Sequence, residues 1–103
     1  MSELDPVIHP INRLRICATL NAAGATQGEV HREMKFATLR DHVGVSDATL
    51  SKQLSHLESA GYVHRNREYG LSRDRDVVWV QLTQKGKAAY EGHVAALREI
   101  AGQ

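Results

Sequence analysis

Between Phe36 and Gly61 two runs of helical apolar spacing are separated by a short break, and this pattern constrains the fold more than any other in the chain. Phe36, Leu39 and Val43 recur at helical intervals and stop at Gly44. Ser46 can cap a second helix, in which Leu50, Leu54 and Leu57 form a stripe at i, i+4 and i+7. Gly61 stands where a helix end favours the left-handed conformation that glycine adopts cheaply. The spacing therefore predicts two short helices joined through Gly44, Val45 and Ser46, a helix-turn-helix pattern.

Beyond Gly61 the pattern turns from helical to alternating. Residues 62–69 read as a strand, 70–76 as a charged loop and 77–82 as a second strand, with Val78, Val80 and Leu82 on one face and Val77 and Trp79 on the other. A strand, a basic loop and a strand placed directly after a helix-turn-helix make a wing. Thr83 caps a last helix with two apolar rows: Tyr90, Val94, Leu97 and Ala101 form one, Ala89, Ala96 and Ile100 the other. That face is wider than one small core needs, so part of it is expected to lie against something else.

Near the N-terminus, Asp5 is expected to cap a first helix with Pro6 at its first position. Pro10 either kinks that helix or marks where its regular part begins. Val7, Ile11, Leu14 and Ala18 give its stripe, which Ile8, Ile16 and Leu20 widen, and Ala22, Ala23 and Gly24 end it. Residues 24–34 are polar, with helical character expected over 27–34. The fold class expected is mostly α with a small β-wing (α+β), a single winged helix-turn-helix domain over 1–103. Its parts are an N-terminal helix (1–24), the helix-turn-helix (36–61), the wing (62–82) and a C-terminal helix (83–101).

A chain of 103 residues has room for one core, and an apolar fraction of 42% with 24% charged residues is ordinary for a globular protein. The net charge of +1 does not by itself announce a nucleic-acid partner. The distribution is more telling: Arg65, Arg67, Arg73 and Arg75 stand between His64 and Arg75 against Glu68 and Asp74. No apolar run approaches the roughly 20 residues that cross a bilayer, and Met1 to Asp5 lacks the basic start of a signal peptide, so a cytoplasmic location without membrane contact is expected. The lone cysteine, Cys17, forms no internal disulfide, which agrees with a reducing compartment.

On a wheel at about 100° per residue the second helix carries its leucines on one side. Opposite lie Ala48, Lys52, Ser55 and Ser59, flanked by Thr49, Ser51 and His56, while Asp47 and Glu58 fall nearer the leucines. A small, polar, cationic face with short hydrogen-bonding side chains near its N-terminus meets what the major groove admits. An ordinary solvated helix face has the same wheel, and it is the wing that favours DNA. Arg73 and Arg75, near the wing tip, can reach phosphates or a narrow minor groove. The alternative is a solvated turn in which they pair with Asp74 and Asp76. Arg65 and Arg67 share a strand face and either contact the DNA backbone or pair with nearby acids.

At these residues the chain resembles the winged-helix DNA-binding domain of MarR- and ArsR-like regulators, above all the short stand-alone members. The resemblance is carried by Phe36 to Asp41, Val45 to Leu54, Leu57 to Val63, Leu82 to Tyr90 and His93 to Leu97, and by the opening Leu4 to Pro10 with Arg13 to Ile16. It covers nearly the whole chain. It implies transcriptional regulation, repression above all, by a homodimer on an inverted-repeat operator in double-stranded DNA. The groove-facing set would be Ser46, Ala48, Thr49, Ser51, Lys52, Ser55 and His56, with Arg65, Arg67, Arg73 and Arg75 from the wing. The terminal helices would meet their partner through Val7, Ile8, Ile11, Tyr90, Val94, Leu97 and Ile100. Two departures stand out: residues 24–35 are longer than the usual connection, and the wing lacks the proline often found beside its arginines.

Other chemistries find few parts. Six histidines (His9, His31, His42, His56, His64 and His93) and Cys17 show no CxxC or HxxxH spacing, so neither metal nor cofactor is expected. Cys17, beside the apolar face of the first helix, reads as a buried thiol rather than a redox switch. Trp79 and Tyr90 read as packing residues. No nucleophile elbow, phosphate loop or paired carboxylates are present, and Ser51 and His56 point to different angles of their helix, so an enzyme is not expected. Two alternatives stay open: a winged helix used as a protein-interaction module, and a DNA-binding regulator that also senses a ligand or metal.

Overall fold

The computed structural model describes residues 2–28 and 32–103. Within them the chain runs through helix α1 (Ile11–Ala22), strand β1 (Met34–Lys35), helices α2 (Phe36–Val43) and α3 (Asp47–Ser59), strands β2 (Val63–Glu68) and β3 (Val77–Leu82), and helix α4 (Gln84–Ile100). A single 3₁₀ turn, Arg73–Arg75, lies between β2 and β3. The strands form one antiparallel sheet in the order β1-β3-β2. Val63 faces Leu82 and Glu68 faces Val77, so β2 and β3 are the two arms of the wing. This is the α+β winged helix-turn-helix expected from the sequence.

Helix ends follow the expected chemistry. Gly44 closes α2 in the left-handed region (φ 79°). The Ser46 hydroxyl oxygen accepts the Thr49 N–H at the start of α3, and Thr83 accepts the Gly86 N–H at the start of α4. Leu50, Leu54 and Leu57 of α3 are fully buried, with Leu39 of α2, Ile16, Cys17 and Leu20 of α1, and Val80 and Leu82 of β3 around them. Each large aliphatic side chain so enclosed contributes on the order of 1.5–3 kcal/mol, and the leucine stripe thereby fixes which side of α3 faces outward.

Three sequence expectations change. Asp5 caps only a single turn: its Oδ1 accepts the N–H groups of Val7 and Ile8, and the regular helix starts at Ile11. Proline at 10 offers no N–H and disfavours helical backbone at His9. In that turn Ile8 points into the core and is fully buried, so it offers no surface to a partner subunit. Finally, the helical character expected over 27–34 is absent from its described residues, 29–31 lying outside them. Instead Ala25 and Gln27 exchange backbone hydrogen bonds with Leu82 (2.8 and 2.9 Å), and Met34 pairs with Val80. The open edge of β3 recruits this segment, and the buried Gln81 amide holds it by donating to the Arg32 carbonyl (3.1 Å).

Candidate nucleic-acid interface

Helix α3 presents Ala48, Lys52, Ser55, His56 and Ser59 to solvent, with Thr49 and Ser51 half-buried at the flanks. Their chemistry differs from what a wheel shows. Ser55 and Ser59 donate their hydroxyls to the carbonyls of Ser51 and Ser55, each at 3.0 Å, so both are turned onto the helix itself. Ser46 caps the helix and also donates to the Thr49 hydroxyl oxygen (3.0 Å), which leaves the Thr49 O–H able to donate elsewhere. Neither the Lys52 nor the His56 side chain has a hydrogen bond or ion pair with another described residue. With the Thr49 hydroxyl, they are groups of this face open to an incoming acceptor.

The acids beside this face are neutralised by pairing rather than hidden by position. Asp47, on the first turn of α3, is 70% exposed and accepts from Arg40 of α2 (2.8 Å), which also binds Asp41 (3.0 Å). Glu58 pairs with Arg65 of β2. The role of Arg40 was not legible in the sequence, since it depends on the angle at which α2 meets α3.

Arg65 behaves unlike Arg67. Besides Glu58, its guanidinium donates to the hydroxyl oxygens of Ser51 (3.0 Å) and Ser55 (3.2 Å). It therefore ties the first wing strand to α3. Arg67, two residues on, is exposed and has no acidic partner among the described residues. The two arginines, Phe36, Ser51 and Val78 line an open hollow of ≈ 360 Å³ between α3 and the wing. Of its two guanidiniums, that of Arg67 forms no ion pair with a described residue and is the one able to bind an oxyanion.

At the wing tip Arg73 and Arg75 are both exposed, and neither pairs with Asp74 or Asp76. Asp76 is engaged elsewhere, its Oδ1 accepting the Gly70 N–H across the loop (2.9 Å). Tyr69 and Leu71 are 78% and 95% exposed beside them, an apolar feature that the charge reading passed over. Lys52 and His56 on α3, Arg67 on β2, and Arg73 and Arg75 at the wing tip are thus basic side chains that form no ion pair with another described residue. Residues 13–101 match the family described as the winged helix DNA-binding domain. The chain belongs to that family.

Solved structures agree on the fold. This winged helix superposes on a transcriptional regulator homologue from Pyrococcus horikoshii OT3 with a TM-score of 0.76 at 18% identity, covering 93% of this chain and 85% of that one. A MarR-family transcriptional regulator from Silicibacter pomeroyi gives 0.64 at 23% identity, over 91% of this chain and 58% of that one. NadR, solved with 4-hydroxyphenylacetate, gives 0.68 at 23% identity, over 94% and 64%. The chain thus spans less than two thirds of the length of the last two. Comparison with curated proteins gives no significant sequence match.

Among the described residues no three His, Cys, Asp or Glu side chains cluster as metal ligands, and no helix is long and apolar enough to cross a membrane. Burial pushes the Cys17 thiol up to about 12, with Asp5 adding to the shift. Of the residues expected at a subunit contact, Ile11 and Ile100 are 58% and 70% exposed, while Val7, Tyr90, Val94 and Leu97 are half-buried.

Proposed function

We propose that this winged helix binds double-stranded DNA in a sequence-specific manner as a homodimer and regulates transcription, most simply by repression. Helix α3 lies in the major groove, where Lys52, His56 and the Thr49 hydroxyl meet base edges or phosphates, and Ala48 gives room for close approach. Arg67, Arg73 and Arg75 take phosphates or the adjacent minor groove. The observation that carries this reading is the pairing of Asp47 with Arg40 and of Glu58 with Arg65, which leaves the cations of the face without competing carboxylates.

Two copies joined through Ile11, Ile100 and the half-buried row Val7, Tyr90, Val94 and Leu97 would present two reading helices to an inverted repeat, its half-sites roughly 34 Å apart. Selection from random oligonucleotides, followed by gel shift of the selected duplex with Lys52→Ala and Arg75→Ala, tests the reading. A selected palindrome bound by the parent and weakened in both variants supports it, and enrichment of no sequence overturns it. Sedimentation of the free chain tests the dimer.

Exposed Tyr69 and Leu71 favour a second reading, a protein-interaction module with the wing as its contact. In that case Leu71→Ser abolishes partner binding, while Lys52→Ala leaves it intact.

A further inference from the structure

The N-terminal segment, the exit of α3 and helix α4 meet at three side chains. His93 of α4 is fully buried, and its Nδ1 accepts the backbone N–H of Asp5 (2.8 Å). Accepting there places the single proton of the neutral ring on Nε2, which is buried with no hydrogen-bond partner. The Asp5 carboxylate has one oxygen on the N–H groups of Val7 and Ile8 (2.8 and 3.3 Å) and the other on the Tyr62 hydroxyl, which donates to it at 2.5 Å. Tyr62 follows Gly61 at the end of α3. Its N–H donates to the Leu57 carbonyl (2.9 Å) and its own carbonyl accepts from Thr83 (3.0 Å), so its position sets how β2 leaves the reading helix.

We propose that Asp5, Tyr62 and His93 form a proton-operated latch that positions α3 and the wing against the N-terminal segment and α4. The proposal rests on the DNA-reading function above and adds its regulation by pH. With His93 neutral, Asp5 is free to hold Tyr62 and the latch is closed. A second proton turns Nδ1 from acceptor to donor, directly against the donor N–H of Asp5. The carboxylate that stabilises the imidazolium is the one that holds Tyr62, so protonation sets His93 and Tyr62 in competition for Asp5. Opening the latch frees the base of the wing and the end of α3 from the elements proposed to join two subunits.

The surroundings define when this happens. The His9 ring lies edge-on to His93 at 5.6 Å, and from α1 the Cys17 thiol feels the same carboxylate. The Lys85 ammonium sits 5.7 Å over the Tyr62 ring. Burial first, and His9 second, hold His93 below its ordinary 6.5, against the opposing pull of Asp5. The latch is therefore closed at neutral pH and opens in acid.

The test uses the full chain. Proton and nitrogen NMR from about pH 8 to about pH 5 follows the His93 ring, the Asp5 amide and the amides of Val63–Glu68, a range that spans histidine ionisation. The β2 amides are expected to move with the His93 midpoint, and to stop doing so in His93→Asn, whose side-chain oxygen can still accept from Asp5 but does not titrate. In Tyr62→Phe the Asp5 amide still follows His93 while the β2 amides do not, which keeps the test open should the first variant fold poorly. Affinity for the selected duplex is expected to fall in acid, by at most roughly tenfold per pH unit for one linked proton, and His93→Asn removes that component. Wing amides indifferent to His93, or a variant with the parent's acid dependence of binding, overturn the proposal. A latch that titrates in a chain that binds no duplex at any pH refutes DNA reading instead and leaves the latch standing.

Discussion

A Cβ placed on Gly86 would stand 2.0 Å from the carbonyl oxygen of Tyr62. The first turn of α4 thus rests directly on the residue that leaves α3, and Thr83 closes the junction by donating its hydroxyl to the Gly61 carbonyl (2.6 Å). The obstacle is backbone on both sides, so no rotamer change can relieve it. Gly86→Ala is expected to destabilise the fold at or above the upper end of the roughly 1–3 kcal/mol typical of overpacking. Urea unfolding measures it, and a loss under about 0.5 kcal/mol, the size of an ordinary surface change, would show that the two elements are not in register here.

The fold is legible in the sequence where its signals are local. The leucine stripe, the caps at Ser46 and Thr83 and the alternation over 77–82 each depend on neighbours within about two helical turns. Failures came where distant partners decide. Residues 24–35 have loop composition with helical hints, and the unpaired edge of β3 draws part of them into a sheet. Ile8 fits a helical stripe, yet Pro10 places it in a separate turn that faces inward. The same division runs through the candidate site. Exposure of Lys52 and His56 was legible from the wheel, but the pairing of Arg65 with Glu58, of Arg40 with Asp47, and of Asp5 with Tyr62 and His93 needed three dimensions.

Leu54 lies at the centre of the stripe and is fully buried. Replacing it with alanine removes the packing that orients α3, and the cost is expected to be about 2–5 kcal/mol, as for other large-to-small core changes. A denaturation midpoint unchanged from the parent would place α3 off the core.

Cys17 is fully enclosed and its thiol is raised to about 12 by burial, so almost no thiolate exists at neutral pH. Native protein is expected to resist a disulfide reagent and to react at the free-thiol rate once denatured. Rapid labelling under native conditions would mean that α1 opens locally, since exchange of the closed form is blocked by both access and charge.

Stability should depend on pH through His93 and Tyr62 in opposite senses. His93 has a folded-state pKa below its ordinary 6.5, so the unfolded chain binds protons first. Its contribution is complete above about 6.5 and is lost as pH falls from there towards the folded value. Tyr62 is raised to about 12, mainly by its hydrogen bond to Asp5. Its contribution is complete below about 10 and is lost as pH rises from there through the folded value. Thermal unfolding across this range should show both shoulders. His93→Asn removes the acid one and Tyr62→Phe the alkaline one.

Arg65 and Arg67 stand two residues apart on β2 and should fail in different ways. Arg67 forms no ion pair with a described acid, so Arg67→Ala is expected to lower affinity for all duplexes alike and to reduce the slope of log affinity against log salt by about 1, the signature of one lost phosphate contact. Arg65 binds Glu58, Ser51 and Ser55, and its removal leaves an unpaired carboxylate beside the reading face. Arg65→Ala is therefore expected to weaken DNA binding through repulsion and a loosened wing, and Arg65→Ala with Glu58→Gln should recover part of the loss. Lys52→Ala serves as the reference: about 1–3 kcal/mol if it reads a base, with discrimination relaxed at one operator position. If Arg65 were itself a phosphate contact, Glu58→Gln would restore nothing, and the salt slope of Arg65→Ala would fall as that of Arg67→Ala does.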